Sequence, residues 1–239
     1  NTASGYQALR ENTTASYNVA MGMYALRQTT TGHSNTATGY VSMFYNTTGN
    51  LNTAAGNSAL IANTTGSNNN AFGQKALCSN TTGSYNTASG SYSLRQNTTS
   101  SYNTAYGYTA LKLNTGCKNT AVGAQALQNN TSGQLNVAMG YGSLRVNTTS
   151  SYNTGLGTYA LQANTTGSRN TASGYKALQA NTTAGYNTAH GFYALKLNTT
   201  GCQLAAFGAL ALNSNTTGQW NTATGPEALC ANTTASFIT

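Results

Sequence analysis

The chain has 239 residues, 26 Gly, one Pro (Pro226) and a formal charge of +8, from ten Lys/Arg against two acids. Charged side chains make up 5% and hydrophobic ones 38%, which does not suit a disordered chain, since those are poor in apolar residues and rich in net charge or proline. No apolar run approaches the roughly 20 residues that a membrane-spanning helix needs, and no signal peptide is visible.

Self-similarity organises everything else. The segment Asn1-Thr2-Ala3-Ser4-Gly5-Tyr6-Gln7-Ala8-Leu9 returns as Asn170-Thr171-Ala172-Ser173-Gly174-Tyr175-Lys176-Ala177-Leu178 and in variants between. Repeats start at residues 1, 18, 35, 52, 69, 86, 103, 119, 136, 153, 170, 187, 204 and 221. Each is 17 residues long except the seventh, where Asn114-Thr115-Gly116 has lost one Thr and the step is 16. The consensus is N-T-A-x-G-x-x-A-L-x-x-N-T-T-G-x-Y. Position 5 is Gly in all fourteen repeats, and position 3 is Ala in all but one, Gly155. Position 9 is Leu except at Met43.

Gly, Asn and Thr recur too often for helices, and 17 residues are too few for a propeller blade or a leucine-rich repeat. The unit fits one coil of an all-β parallel solenoid, a β-roll of fourteen 17-residue coils. Short strands are expected at Thr-Ala-x and at Ala-Leu, with corners at the position-5 Gly and at Asn-Thr-Thr-Gly. Gly supplies positive φ at little steric cost, and Asn tolerates it. Coils stacked at about 4.8 Å turn each repeat position into a row. Leu9, Leu26, Leu60, Leu77, Leu94, Leu111, Leu127, Leu144, Leu161, Leu178, Leu195, Leu212 and Leu229 then form the interior rib, faced by the alanine row that begins at Ala3 and supported by the Gly row that begins at Gly5. The fourth position is mixed and reads as a looser apolar contact, a candidate for contact between chains. Residues 1–239 are expected to form a single solenoid repeat domain, a piece of a longer fibrous chain.

The motif Asn-Thr-Ala-x-Gly-x-x-Ala-Leu, followed by Asn-Thr-Thr-Gly-x-Tyr, resembles repeats of phage tail-fibre proteins. It is also similar to the head repeats of trimeric autotransporter adhesins, although those are usually shorter than 17 residues. The resemblance implies a left-handed β-roll, a homo-trimer, and an extracellular, cell-surface or virion location. It implies a structural segment that extends and spaces an appendage, with weak binding to a cell-surface glycan.

Catalysis has little to work with. Glu11 and Glu227 sit in the first and last repeats, and His33 and His190 occupy different repeat positions. No nucleophile–base set or metal cluster can be assembled from them. The chain is therefore expected to be a non-enzyme without cofactors. Cys78, Cys117, Cys202 and Cys230 are spaced too far apart along the stack to pair within one chain, leaving free thiols or disulfides between chains.

Three rows carry open alternatives. Arg10, Arg27, Arg95, Lys112, Arg145 and Lys196 share position 10. They form either an anion-binding stripe for acidic polysaccharide or phosphate, or a solvated edge that blocks lateral strand addition; no nucleic-acid motif accompanies them. Tyr residues at positions 6 and 17 either stack on sugars or pack on neighbouring coils. Asn12, Asn46, Asn63, Asn80, Asn97, Asn130, Asn147, Asn164, Asn181, Asn198, Asn215 and Asn232 each begin a glycosylation sequon. They read either as sugar sites, which would make a glycan-coated filament, or as a ladder of stacked amides of the kind known in cross-β structures. An ice-binding solenoid is a third function class, for which a regular Thr-x-Thr double row is missing.

Overall fold

A computed structural model describes all residues, 1–239. The protein is all-β, a parallel β-solenoid whose short strands recur once per repeat. The chain forms two compact units, Asn1–Lys118 and Asn119–Thr239, where the sequence suggests a single domain. Their boundary follows the 16-residue repeat that lost a Thr.

The first unit holds β1 (Thr2–Ser4), β2 (Val19–Met21), β3 (Thr36–Thr38), β4 (Thr53–Ala55), β5 (Asn70–Phe72), β6 (Thr87–Ser89) and β7 (Thr104–Tyr106). The second holds β8 (Thr120–Val122), β9 (Val137–Met139), β10 (Thr154–Leu156), β11 (Thr171–Ser173), β12 (Thr188–His190), β13 (Ala205–Phe207) and β14 (Thr222–Thr224). Within each unit every strand pairs in parallel with its chain neighbours. The register keeps repeat positions aligned, as in Ala54 opposite Ala71 and Ala138 opposite Gly155.

Alternation along a three-residue strand sends its middle residue inward and the flanking two outward. Ala20, Ala54, Ala88, Ala138 and Ala189 are accordingly buried while their neighbours stay open. The position-9 rib lies in the core as expected. Leu26, Leu60, Leu77, Leu94, Leu111, Leu127, Leu144, Leu161, Leu178, Leu195 and Leu212 are fully buried, with Met43 among them. The first and last coils are more open: Ala3 and Gly5 are exposed, and Leu9 and Leu229 half-buried.

Two expectations need correction. The Ala-Leu segment forms no second strand; each coil has one. Its residues alternate in handedness, with φ of 48–62° at position 7 and 47–53° at the rib. Its N–H groups also divide between local turns and the next coil. Ala59 N donates to Gly56 O within the coil at 3.3 Å, whereas Leu60 N donates to Ala76 O of the next coil at 2.9 Å. Left-handed Leu costs about 1–2 kcal/mol per residue, and full burial of its side chain together with this inter-coil bond offsets that cost.

The second correction concerns the corners. Position 5 has the positive φ that glycine accommodates, for example 134° at Gly90. A Cβ there would also lie 2.5 Å from Gly107 O on the next coil, so contact and conformation both demand glycine. The second corner places its positive φ at position 17 instead, on residues such as Tyr85 and Tyr102. Its glycines serve close approach, and Ala15, Ser100 and Ala184 replace them in some coils.

Candidate functional site

The sequon asparagines form a buried ladder. In the first unit Asn63 Nδ2 donates to Asn46 Oδ1 at 2.8 Å, Asn80 to Asn63 at 2.9 Å and Asn97 to Asn80 at 3.0 Å. In the second unit the chain of bonds runs from Asn232 back to Asn130, at 2.7–3.1 Å. Asn46, Asn63, Asn80, Asn97, Asn130, Asn147, Asn164, Asn181, Asn198 and Asn215 are fully buried. Only Asn12 and Asn232, in the outermost coils, are half-buried. The nitrogen that would carry a sugar is therefore enclosed and already donating, so the glycosylation alternative does not fit the folded ladder.

A second ladder runs along position 1. Asn35 Oδ1 accepts the backbone N–H of Asn52 at 3.0 Å, and Asn52 Oδ1 accepts that of Asn69 at 2.9 Å. The second unit repeats the pattern, with Asn136 N donating to Asn119 Oδ1 and Asn153 N to Asn136 Oδ1, both at 3.0 Å. The two ladders meet at the corner: each sends an Nδ2 to the same position-15 carbonyl, which has two lone pairs to accept them. Gly66 O, Gly83 O and Gly201 O each take one bond from either ladder. Position 13 adds a hydroxyl row, in which Thr64 Oγ1 donates to Thr81 O and Thr165 Oγ1 to Thr182 O. The signal available in the sequence was that Asn fills position 1 in every coil but one, where Leu204 stands.

Two coils break the sequon ladder: the seventh, where Asn114-Thr115-Gly116 is not a sequon and Asn97 Oδ1 is buried without a partner, and the second. Thr29 occupies position 12 of the second repeat; it is fully buried and its Oγ1 has no partner. Asn12 Oδ1, which an Asn at 29 would reach, is also buried without a partner.

The position-10 cations do not make an unbroken stripe. Arg10 and Arg27 are on adjacent coils, as are Arg95 and Lys112, but Phe44, Ile61 and Cys78 fill the coils between the two pairs. In the second unit Gln162 and Gln179 separate Arg145 from Lys196. Most of these cations lie half-buried. Arg27 sits over Tyr24 and Phe44 at 5.7 and 5.3 Å and pairs with Glu11 at 3.7 Å. Arg95 lies 5.6 Å from the Tyr92 ring and Lys196 4.4 Å from Tyr193, within cation–π range.

The aromatic rows pack coil on coil. Tyr85 and Tyr102 stack at 5.0 Å with planes 2° apart, and Trp220 and Phe237 at 6.1 Å and 5°. Each ring of these two pairs turns one face to its mate and so withholds that face from a sugar, whereas Tyr17 is 81% exposed.

His33 and Ser34 line a shallow hollow with Thr14, Ser16, Tyr17 and Thr31, and His33 Nδ1 lies 3.3 Å from Ser34 Oγ. Glu11 and Glu227 are in different units. All four cysteines are free and half-buried. No group of three His, Cys, Asp or Glu side chains is placed to hold a metal ion, and no helix is long and apolar enough to cross a membrane.

The fold and its ladders define the class as a parallel β-solenoid stacked by asparagine amides. No protein-family model, curated protein or solved structure matches this chain.

Proposed function

We propose that this chain is a non-catalytic structural segment that extends and spaces an extracellular appendage on a cell or virion. The observation that carries this reading is where the repeated residues go. Asn at positions 1 and 12, Ala at 3, Gly at 5 and Leu at 9 are all engaged in joining one coil to the next. A sequence that repeats its stacking residues this strictly, and varies the outward ones, is one in which stacking itself is the selected property.

The trimer rests on the resemblance to tail-fibre and adhesin repeats alone, as does weak binding to surface glycan. The paired cations Arg10/Arg27 and Arg95/Lys112 are the places where an anionic surface would bind. Burial of the sequon amides speaks against a glycan-coated filament. Large side chains that project from the strand face, such as Phe72 and Tyr106, interrupt the flatness an ice-binding surface needs.

Antibodies raised against the folded chain test the location. Labelling along appendages of intact source cells or particles is the expected result. Labelling only after lysis would contradict the proposal.

A further inference from the structure

The outward face of β1–β7 is free of Asp, Glu, Lys and Arg at both its positions, 2 and 4. The unit's cations lie elsewhere, at positions such as 10 and 7. Solvated sheet faces and edges usually carry charge, and this one instead exposes Met21, Phe72 and Tyr106, each 44–50% accessible. Taken singly, such side chains are ordinary on a surface; their order along the stack is what points to a contact.

What covers it is indicated by its order. Along the stack, position 4 reads Ser4, Met21, Thr38, Ala55, then Phe72, Ser89, Tyr106. Large side chains fall at the second, fifth and seventh coils and small ones elsewhere. Reversing the row about Ala55 sets every large residue opposite a small one: Tyr106 faces Ser4, Ser89 faces Met21, and Phe72 faces Thr38. Ala55 meets its own counterpart. A two-fold axis parallel to the strands at β4 produces this arrangement, because it reverses the stacking direction while keeping position 4 over position 4. The contact is then isologous, each residue meeting its mate twice.

Other arrangements fit less well. Two face-to-face copies with parallel stacks place position 4 over position 2, which is Thr, Val or Asn in every coil of the unit. The three large residues would then hold the faces apart and leave the small ones unfilled, and voids of that kind forfeit packing energy. The second unit's outward face is equally free of Asp, Glu, Lys and Arg but lacks this complementarity, since reversal of its row sets Met139 against Phe207. A partner must also match a coil spacing of about 4.8 Å over seven strands, and a second copy of this chain does so by construction.

We propose that two copies of this chain associate in antiparallel fashion through the β1–β7 face, centred on Ala55. This goes beyond the structural role above, does not depend on where the chain is displayed, and stands against the three-fold assembly that the tail-fibre and adhesin resemblance implies, which is the competing outcome of the test. The test is sedimentation of the full chain over a wide concentration range, together with cross-linking by a short bismaleimide in a background whose four native cysteines are replaced by Ser. A concentration-dependent dimer is expected. F72D should sediment as a monomer at concentrations where the parent is dimeric, and should melt with the parent once both are diluted to monomer, because Phe72 is exposed. A55C should cross-link to itself. S89C should not, because the two copies of residue 89 lie four coils, about 19 Å, apart. A monomer at all concentrations, a three-fold mass, or efficient self-cross-linking of S89C would each overturn the proposal.

Discussion

Asn52 and Asn63 donate their side-chain amides to one acceptor, the carbonyl of Gly66, at 2.8 and 2.9 Å. Eleven residues apart in sequence, they close the coil across its corner, and each also bonds to its counterpart on the preceding coil, Asn35 and Asn46. The pair joins the local turn to the long-range stack in a single node. Buried amides of this kind stabilise only when fully satisfied.

The broken rung at Thr29 makes the first prediction. Thr29→Asn places an Nδ2 within reach of the orphaned Asn12 Oδ1 and of the Gly32 carbonyl. Relief of unsatisfied buried groups is worth about 1–3 kcal/mol, so thermal or denaturant unfolding should show a stabilised chain. An unchanged or lowered midpoint would count against the ladder geometry.

Removing a rung has the opposite sign. Asn63→Ala leaves Asn46 Oδ1 without its donor, and takes one of two bonds from each of Asn80 Nδ2 and Gly66 O, which keep Gly83 O and Asn52 Nδ2 as partners. The expected loss is about 1–3 kcal/mol for the one group left unpaired. Asn57, which is exposed, serves as the control, and its Ala variant should unfold with the parent. Equal effects at the two positions would refute a structural role for the ladder.

The two glycine corners should respond differently. Gly90→Ala forces a Cβ to 2.5 Å from the backbone of the next coil at a φ of 134°, and should abolish folding of its unit or lower stability severely. Gly83→Ala meets a close neighbour too, at 2.4 Å, but its position takes Ala at 15 and 184 without positive φ. Circular dichroism melts of the two variants should differ clearly, with Gly83→Ala the milder.

The interior rib is tested at Leu127. Leu127→Ala should cost about 2–5 kcal/mol, as buried leucine truncations do. Leu127→Asp, which buries an unpaired carboxylate, should cost more than Leu127→Ala. Unchanged melting in either variant would place Leu127 outside the core.

Much of this was legible because a repeat tests each position fourteen times. The Leu rib, the Ala row and the position-5 glycines follow from residue type and spacing; the sequon asparagines leave two readings open, and the burial and bonding of their amides decide for the ladder. The expected second strand did not form because position 7 and the rib Leu adopt left-handed φ. Leu is a poor candidate for that region on sequence grounds, and its preference was overridden by burial and by bonding between coils. The position-1 ladder is not legible in the sequence because Asn beside a strand reads as an ordinary turn residue; its role depends on which carbonyl the coil brings back to it. The aromatic and cationic rows were ambiguous for the same reason. Only the structure places Tyr85 against Tyr102 and Arg27 over Phe44.

Hydrogen exchange of the asparagine side-chain amides, followed by NMR on selectively labelled protein, tests the two ladders most directly. The account predicts that Nδ2 protons of inner rungs such as Asn52, Asn63, Asn164 and Asn170 exchange slowly, while those of the exposed Asn57 exchange at the rate of a free amide. Uniformly fast exchange, or sugar found attached at the inner sequons, would contradict a chain held together by buried asparagines.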